Sequence, residues 1–241
     1  MVEQRQVVKT IRAQLERESA VHIHRNSISF LFEDQSLIAE GEVDSIAAKR
    51  LAMRIIRANS PTERVEDRLR VTPAERREDG AIRDSLAAAF AQESAFHNCS
   101  VALWNKGALE PVTDAAAESA CVIRASVQEG VVTLEGEVIS LSHRRLAVLL
   151  AWWVTGTRDV VDALRVVPAE EDTDDELTDA IQLALDKDPM LRGETIRAHT
   201  DHGVVTLAGM ARGGLARQMA EDDVWYLGDV AKVDNRIHVP G

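Results

Sequence analysis

The chain has 241 residues, 45% of them hydrophobic and 28% charged, with a formal net charge of −12 at pH 7. These are the proportions of a soluble globular protein. The acid excess disfavours nucleic acid or an anionic bilayer as a partner for the whole surface, and no run of 18 apolar residues exists to span a membrane. The charge is uneven: residues 1–73 carry a net +1, residues 74–168 a net −4 and residues 169–241 a net −9. The stretch Met1–Lys9 lacks a charged region followed by an apolar core and a cleavage site. As it stands the chain is expected in the cytoplasm, and in the periplasm if a leader has been removed.

The first element is an amphipathic helix, with Val7, Val8, Ile11 and Leu15 on one face among charged residues. Residues 27–32 alternate as a strand that places Ile28, Phe30 and Phe32 on one side. Glu33-Asp34-Gln35 turns the chain, and residues 36–43 return antiparallel. A second helix over about residues 45–58 stops before Asn59-Ser60-Pro61, because proline disfavours helical geometry in the residue before it. Residues 65–71 alternate again as a third strand. The second and third strands are joined through a helix, so they are expected to be parallel.

After the charged linker Pro73–Gly80, a helix around residues 81–92 opens a second copy of this order. Ile82 precedes Ile123 by 41 residues, whereas Ile181 precedes Ile196 by 15, so the second copy holds an insertion at about residues 96–119. Val101–Trp104 is expected to add a short strand there, and Asp114–Ser119 a helical turn. Such insertions sit at the surface and are either specificity elements or tolerated decoration. The strand at 121–127, the hairpin strand around Gly130, a helix at 140–154 and a strand at 160–166 complete the copy. A second acidic linker, Pro168–Asp174, precedes the third copy, whose helices fall at about 175–186 and 214–226 and whose last strand is 233–239.

The repeat is exact in spacing. Measured from Gly41, Gly136 and Gly209, an isoleucine (Ile28, Ile123, Ile196) lies 13 residues before and a valine (Val71, Val166, Val239) 30 residues after. The fold expected is therefore α+β: three tandem αββαβ modules at residues 1–73, 79–168 and 174–241. Each is a small mixed three-stranded sheet with two helices on one face. Gly130 and Gly203 are assigned to positive-φ turn positions, and Gly41, Gly136 and Gly209 to a bulge or close packing.

The motif Gly130-Val131-Val132-Thr133-Leu134-Glu135-Gly136-Glu137-Val138, its echo at Gly203–Gly209, the helix alanines Ala52, Ala147 and Ala220 and the alternating last strands resemble the BON family. The first copy departs most, with Gln35 standing where the other copies have a hairpin glycine. The resemblance implies a non-catalytic module that binds phospholipid surfaces or envelope partners under osmotic or other stress. The alternative is a soluble cytoplasmic adaptor for a protein, small ligand or ion.

No Walker loop, nucleophile elbow or metalloprotease helix motif occurs, so no enzyme, metal or cofactor is expected. His22 and His24 lack a third ligand. Two features suit binding. Lys49, Arg50, Arg54 and Arg57 lie on the second helix, the three arginines at i, i+4 and i+7, and would meet lipid headgroups or the acidic flank of the third copy, or be a solvated basic face. Trp152, Trp153 and Trp225 close the corresponding helices of the later copies; amphipathic aromatics there suit a lipid interface, a protein contact or inter-module packing. Cys99 and Cys121 are too few for a disulfide framework, and a lone pair is more often two buried thiols than a bond.

Overall fold

The structure is a computed structural model that describes residues 2–23, 27–113, 120–228 and 230–240. It divides into two compact units, Met1–Ala74 and Glu75–Gly241.

In the first unit α1 (Val2–Leu15) is followed by β1 (Ile28–Glu33), β2 (Ser36–Val43), α2 (Ile46–Asn59) and β3 (Arg64–Val71). The sheet order is β1-β2-β3, with β1 and β2 antiparallel and β2 and β3 parallel. Alternation sends Leu37, Ala39, Val43 and Leu69 to the side on which Ile11 and Leu15 of α1 and Ala52 and Ile56 of α2 pack. Ser45 caps α2 by accepting from the Ala48 N–H at 3.1 Å. Without a glycine, the β1–β2 turn still adopts positive φ at Asp34 (45°) and Gln35 (66°). The Glu129-Gly130 (54° and 76°) and His202-Gly203 (49° and 72°) turns lie close to these values, because the twist of a tight hairpin demands this geometry whatever the residue.

The second unit holds two sheets. α3 (Asp79–Gln92) leads to a 3₁₀ turn (Ser94–Phe96) and to β4 (Ser100–Asn105), β5 (Ala108–Thr113), β6 (Val122–Gln128), β7 (Val131–Val138), α4 (Leu141–Trp153) and β8 (Asp159–Val166). The insertion thus builds a hairpin on the sheet edge. The expected three strands become five, in the order β5-β4-β6-β7-β8, with β4 parallel to β6. The expected helical turn at 114–119 lies outside the described residues. α5 (Asp174–Lys187), a 3₁₀ turn (Pro189–Leu191), β9 (Thr195–Asp201), β10 (Val204–Met210), α6 (Gly214–Tyr226) and β11 (Lys232–His238) complete the chain, with sheet order β11-β10-β9.

The repeat glycines have one physical cause. Each stands at positive φ (Gly41 152°, Gly136 127°, Gly209 133°), directly opposite Ile28, Ile123 or Ile196. A Cβ at these positions would overlap the carbonyl oxygen of Ser27, Val122 or Thr195.

The cysteines correct the sequence reading. Cys99 and Cys121 are bonded, with a Cα–Cα separation of 4.6 Å. The insertion brings the start of β4 alongside the start of β6, where Ser100 N donates to the Cys121 carbonyl, and this register places the two thiols together. Spacing along the chain carries no trace of that register.

Candidate functional site

Three sets of residues bear on function: the α2 basic face, the tryptophans, and a junction on which the second unit is built. On α2, Arg54 and Arg57 are exposed, and neither has a hydrogen-bond or ion-pair partner among the described residues. Arg50 is half-buried. Lys49 does not belong with them. It is 4% exposed, donates to the Leu69 carbonyl at 2.6 Å and lies 3.2 Å from Asp67. One residue along a helix turns about 100°, which carries Lys49 from the arginine face onto β3.

That lysine belongs to a repeated strut. Arg144 of α4 donates to Asp162 of β8 at 2.7 Å, and Arg217 of α6 exchanges side-chain and backbone hydrogen bonds at 3.1 Å with Asn235 of β11. Asp67, Asp162 and Asn235 each also accept the backbone N–H two residues on. The sidechain thereby fixes the last strand to its helix in all three sheets. Asp67, Asp162 and Asn235 are structural.

A second repeated contact settles what the glycine hairpins do. Asp79, first residue of α3, accepts from the N–H groups of Glu129 and Gly130 at 2.9 and 2.8 Å. Asp174, first residue of α5, accepts from those of His202 and Gly203 at 2.6 and 3.0 Å. The amides that would cradle a phosphate are already occupied by carboxylates. Asp174, Asp201 and His202 approach closely enough to share a cation, but Asp174 is committed to these amides. His22 bonds Asp44 at 2.9 Å, and His24 lies outside the described residues.

The tryptophans sit at the junction between the second and third sheets, which α4 organises. Leu146 through Trp152 are all buried, as expected of a helix apolar on nearly every side. Trp152 stacks on Tyr226 of α6, ring centroids 5.0 Å apart and 15° between planes. Trp153 donates its indole N–H to Asp223 at 2.8 Å. Trp225 is buried as well. Small sheets with helices on one side must bury those helices on a neighbour, and the Trp152 and Trp153 rings expected at a binding surface are consumed in that packing. The acidic linker is equally committed: Glu170 accepts from Leu141 N at 2.8 Å at the start of α4, and Asp172 pairs with buried Arg145 at 2.5 Å. Lys187 bridges back to Glu93 at 2.9 Å. Burial pushes the Glu93 carboxyl up, but Lys187 and the Ala95 N–H outweigh it and hold it below its ordinary range.

Sequence reasoning missed the acids at this junction. Asp188 and Asp223 are 3% and 2% exposed, and each has an Oδ2 that meets no protein donor among the described residues. Burial raises the Asp188 carboxyl above its ordinary range against the Met190 N–H and Asp223. Burial above all, then Asp188 and Asp222, pushes Asp223 up to about 8 against the Trp153 hydrogen bond. Burial likewise raises Asp222 to about 6 and Tyr226 above its usual value. The sequence signal was slight: Asp223 falls on the buried face of α6 between Ala220 and Val224. Also missed was Trp104, 45% exposed beside Leu109 on the inserted hairpin. No helix among the described residues is long and apolar enough to cross a membrane.

The fold and its buried junction can be set beside known proteins. No curated protein matches the chain. Among solved structures the chain is similar to the C-terminal domain of CdsD, the structural protein of the Type III secretion system of Chlamydia trachomatis, at 12% identity over 97% of each chain with a TM-score of 0.25. A second structure of that protein aligns over 98% of this chain and 92% of its own at 11% identity, with a TM-score of 0.24. A family model described as the BON domain matches residues 116–168 and 173–241. Those two stretches span just over half of the sequence, and the chain belongs to the BON domain family.

Proposed function

We propose that the protein is a non-catalytic binding protein of the bacterial envelope-stress type, that its first αββαβ segment is also a BON module, and that this segment meets an anionic phospholipid surface. The observation that carries the reading is the pair Arg54 and Arg57, exposed and unpaired on α2 in the one segment without net negative charge. Each basic side chain near an anionic bilayer contributes about 1 kcal/mol, screened by salt. The Cys99–Cys121 bond supports an oxidising compartment such as the periplasm, since reducing cytosol keeps thiols free. With Trp152 and Trp225 buried and Trp153 bonded to Asp223, attraction by the first segment is electrostatic and needs no aromatic insertion. Flotation with anionic and zwitterionic vesicles at low and physiological salt tests this. Co-flotation with anionic vesicles alone, lost at higher salt and in Arg54→Glu/Arg57→Glu, is the expected result; flotation unchanged in that variant removes the role from α2.

A second reading, a protein-binding adaptor, is favoured by the exposed Trp104 beside Leu109 on the inserted hairpin. Exposed aromatics of this kind are enriched at protein interfaces.

A further inference from the structure

Each sheet carries, one residue before its repeat glycine, a three-residue row on the face turned away from the helices. In the first sheet the row is Ser29–Glu40–Arg68, and in the second Arg124–Glu135–Ala163. The central residue is a glutamate in both, directly opposite an arginine, the pairing that stabilises neighbouring strands. In the third sheet the row is Arg197–Ala208–Arg236. The central carboxylate has gone and a second arginine has been gained.

All three residues of that row are exposed. Neighbouring strands lie about 4.8 Å apart, so the two arginines stand on either side of Ala208 with a small methyl between them. Arg236 is held by Asp234 at 2.6 Å, which fixes its guanidinium. Arg197 has no hydrogen-bond or ion-pair partner among the described residues. The other charged or titratable residues on this face are Lys232, His199, His238, Asp201 and Asp234. Residues 169–241 have a net charge of −9, yet the open face has more fixed cations than anions; Asp175, Glu176 and Asp179 lie on α5, which packs on the opposite side of the sheet.

We propose that this face docks an acidic segment of a protein partner, one carboxylate of which enters the row over Ala208, where the other two sheets hold Glu40 and Glu135. Charge complementarity favours a discrete acidic segment over a bilayer. A single carboxylate over Ala208 meets the unpaired Arg197 fork and the side of Arg236 that Asp234 does not hold, whereas an anionic membrane laid on the face would also meet Asp201. Arginine presents the forked donors that a carboxylate takes two at a time. The site is independent of the α2 surface and of the membrane reading.

The full chain tests it, with a fluorescent oligoglutamate as probe, an oligolysine as control, and anionic vesicles in parallel. Ala208→Glu places inside the protein the carboxylate that the second sheet already carries, and should block the probe while leaving the far-UV spectrum unchanged. Arg197→Ala/Arg236→Ala provides the same test without adding a side chain. The expected result is salt-sensitive oligoglutamate binding weakened about tenfold or more in both variants, as for the loss of a charge-assisted contact, with no oligolysine binding. Oligoglutamate binding that is absent, or unchanged in both variants, overturns the proposal. So does vesicle binding that Ala208→Glu abolishes while oligoglutamate never binds, which would make the face a membrane site.

Discussion

The indole N–H of Trp153 donates to Asp223 at 2.8 Å, joining the last turn of α4 to a carboxyl that is 2% exposed on α6. The contact holds the second sheet's helix against the third's. Among the described residues no cation pairs with its acceptor: Asp188, Asp222, the Trp153 indole and the Tyr226 phenol lie around it, and Lys187, next in sequence to Asp188, is spent on Glu93.

Stability of the second unit should therefore fall as pH rises. Asp223 is raised from an ordinary 3.8 to about 8, so the folded protein keeps a proton that the unfolded chain releases. The stabilisation is complete below about pH 4, is lost progressively up to about pH 8, and is level beyond it. Asp222, raised to about 6, adds in the same direction. Asp223→Asn, which keeps an acceptor for Trp153, should flatten the slope. Thermal unfolding followed between pH 4 and pH 9 checks this, and an unchanged slope in the variant would assign the effect elsewhere.

Gly136→Val should destabilise the second sheet by about 2–4 kcal/mol. It forces a β-branched residue to positive φ and drives a Cβ into the Val122 carbonyl. Urea unfolding gives the number. A change below about 0.5 kcal/mol, the range of ordinary surface substitutions, would mean that the backbone relaxes there.

Lys49→Met should cost about 1–3 kcal/mol in the first unit, because Asp67 loses its buried cation and the Leu69 carbonyl keeps only the longer Arg70 contact at 3.1 Å. Arg217→Met, where the strut is exposed and its partner Asn235 is uncharged, should cost less. Comparing the two midpoints tests whether burial sets the strength of a contact that recurs in each sheet.

Cys99→Ser/Cys121→Ser should lower stability by about 3 kcal/mol, since the bond closes a sequence separation of 22. Adding a reductant to the unmodified protein under denaturing conditions should reproduce the loss, and should leave the double variant unaffected.

The local order of helices and strands was legible because each depends on near neighbours: apolar spacing, the turn, and Pro61 after α2. The insertion's first strand was legible for the same reason. What joined distant parts was not. The pairing of β4 with β6 spans the insertion and creates both the five-stranded sheet and the disulfide, and no spacing records it. Lys49 and Arg50 read as one basic cluster, yet a helix separates adjacent residues onto different faces. The tryptophan pair showed an amphipathic character that fits a lipid interface and a helix–helix seam equally well. Only the fold chose the seam, because α4 had to bury its remaining surface on α6.

The two Pro-Ala-Glu junctions look interchangeable in the sequence, and a protease would tell them apart. Residues 74–78 are exposed and lie where the chain passes from one compact unit to the next, so a protease should cut there while each unit keeps its own fold. The stretch after Pro168 is just as exposed, but Glu170 closes the start of α4 and Asp172 grips Arg145. Cleavage between those two residues should leave fragments that still migrate together. The later duplicates have ceased to be separable parts, and the smallest transferable piece that contains either of them begins near Glu75.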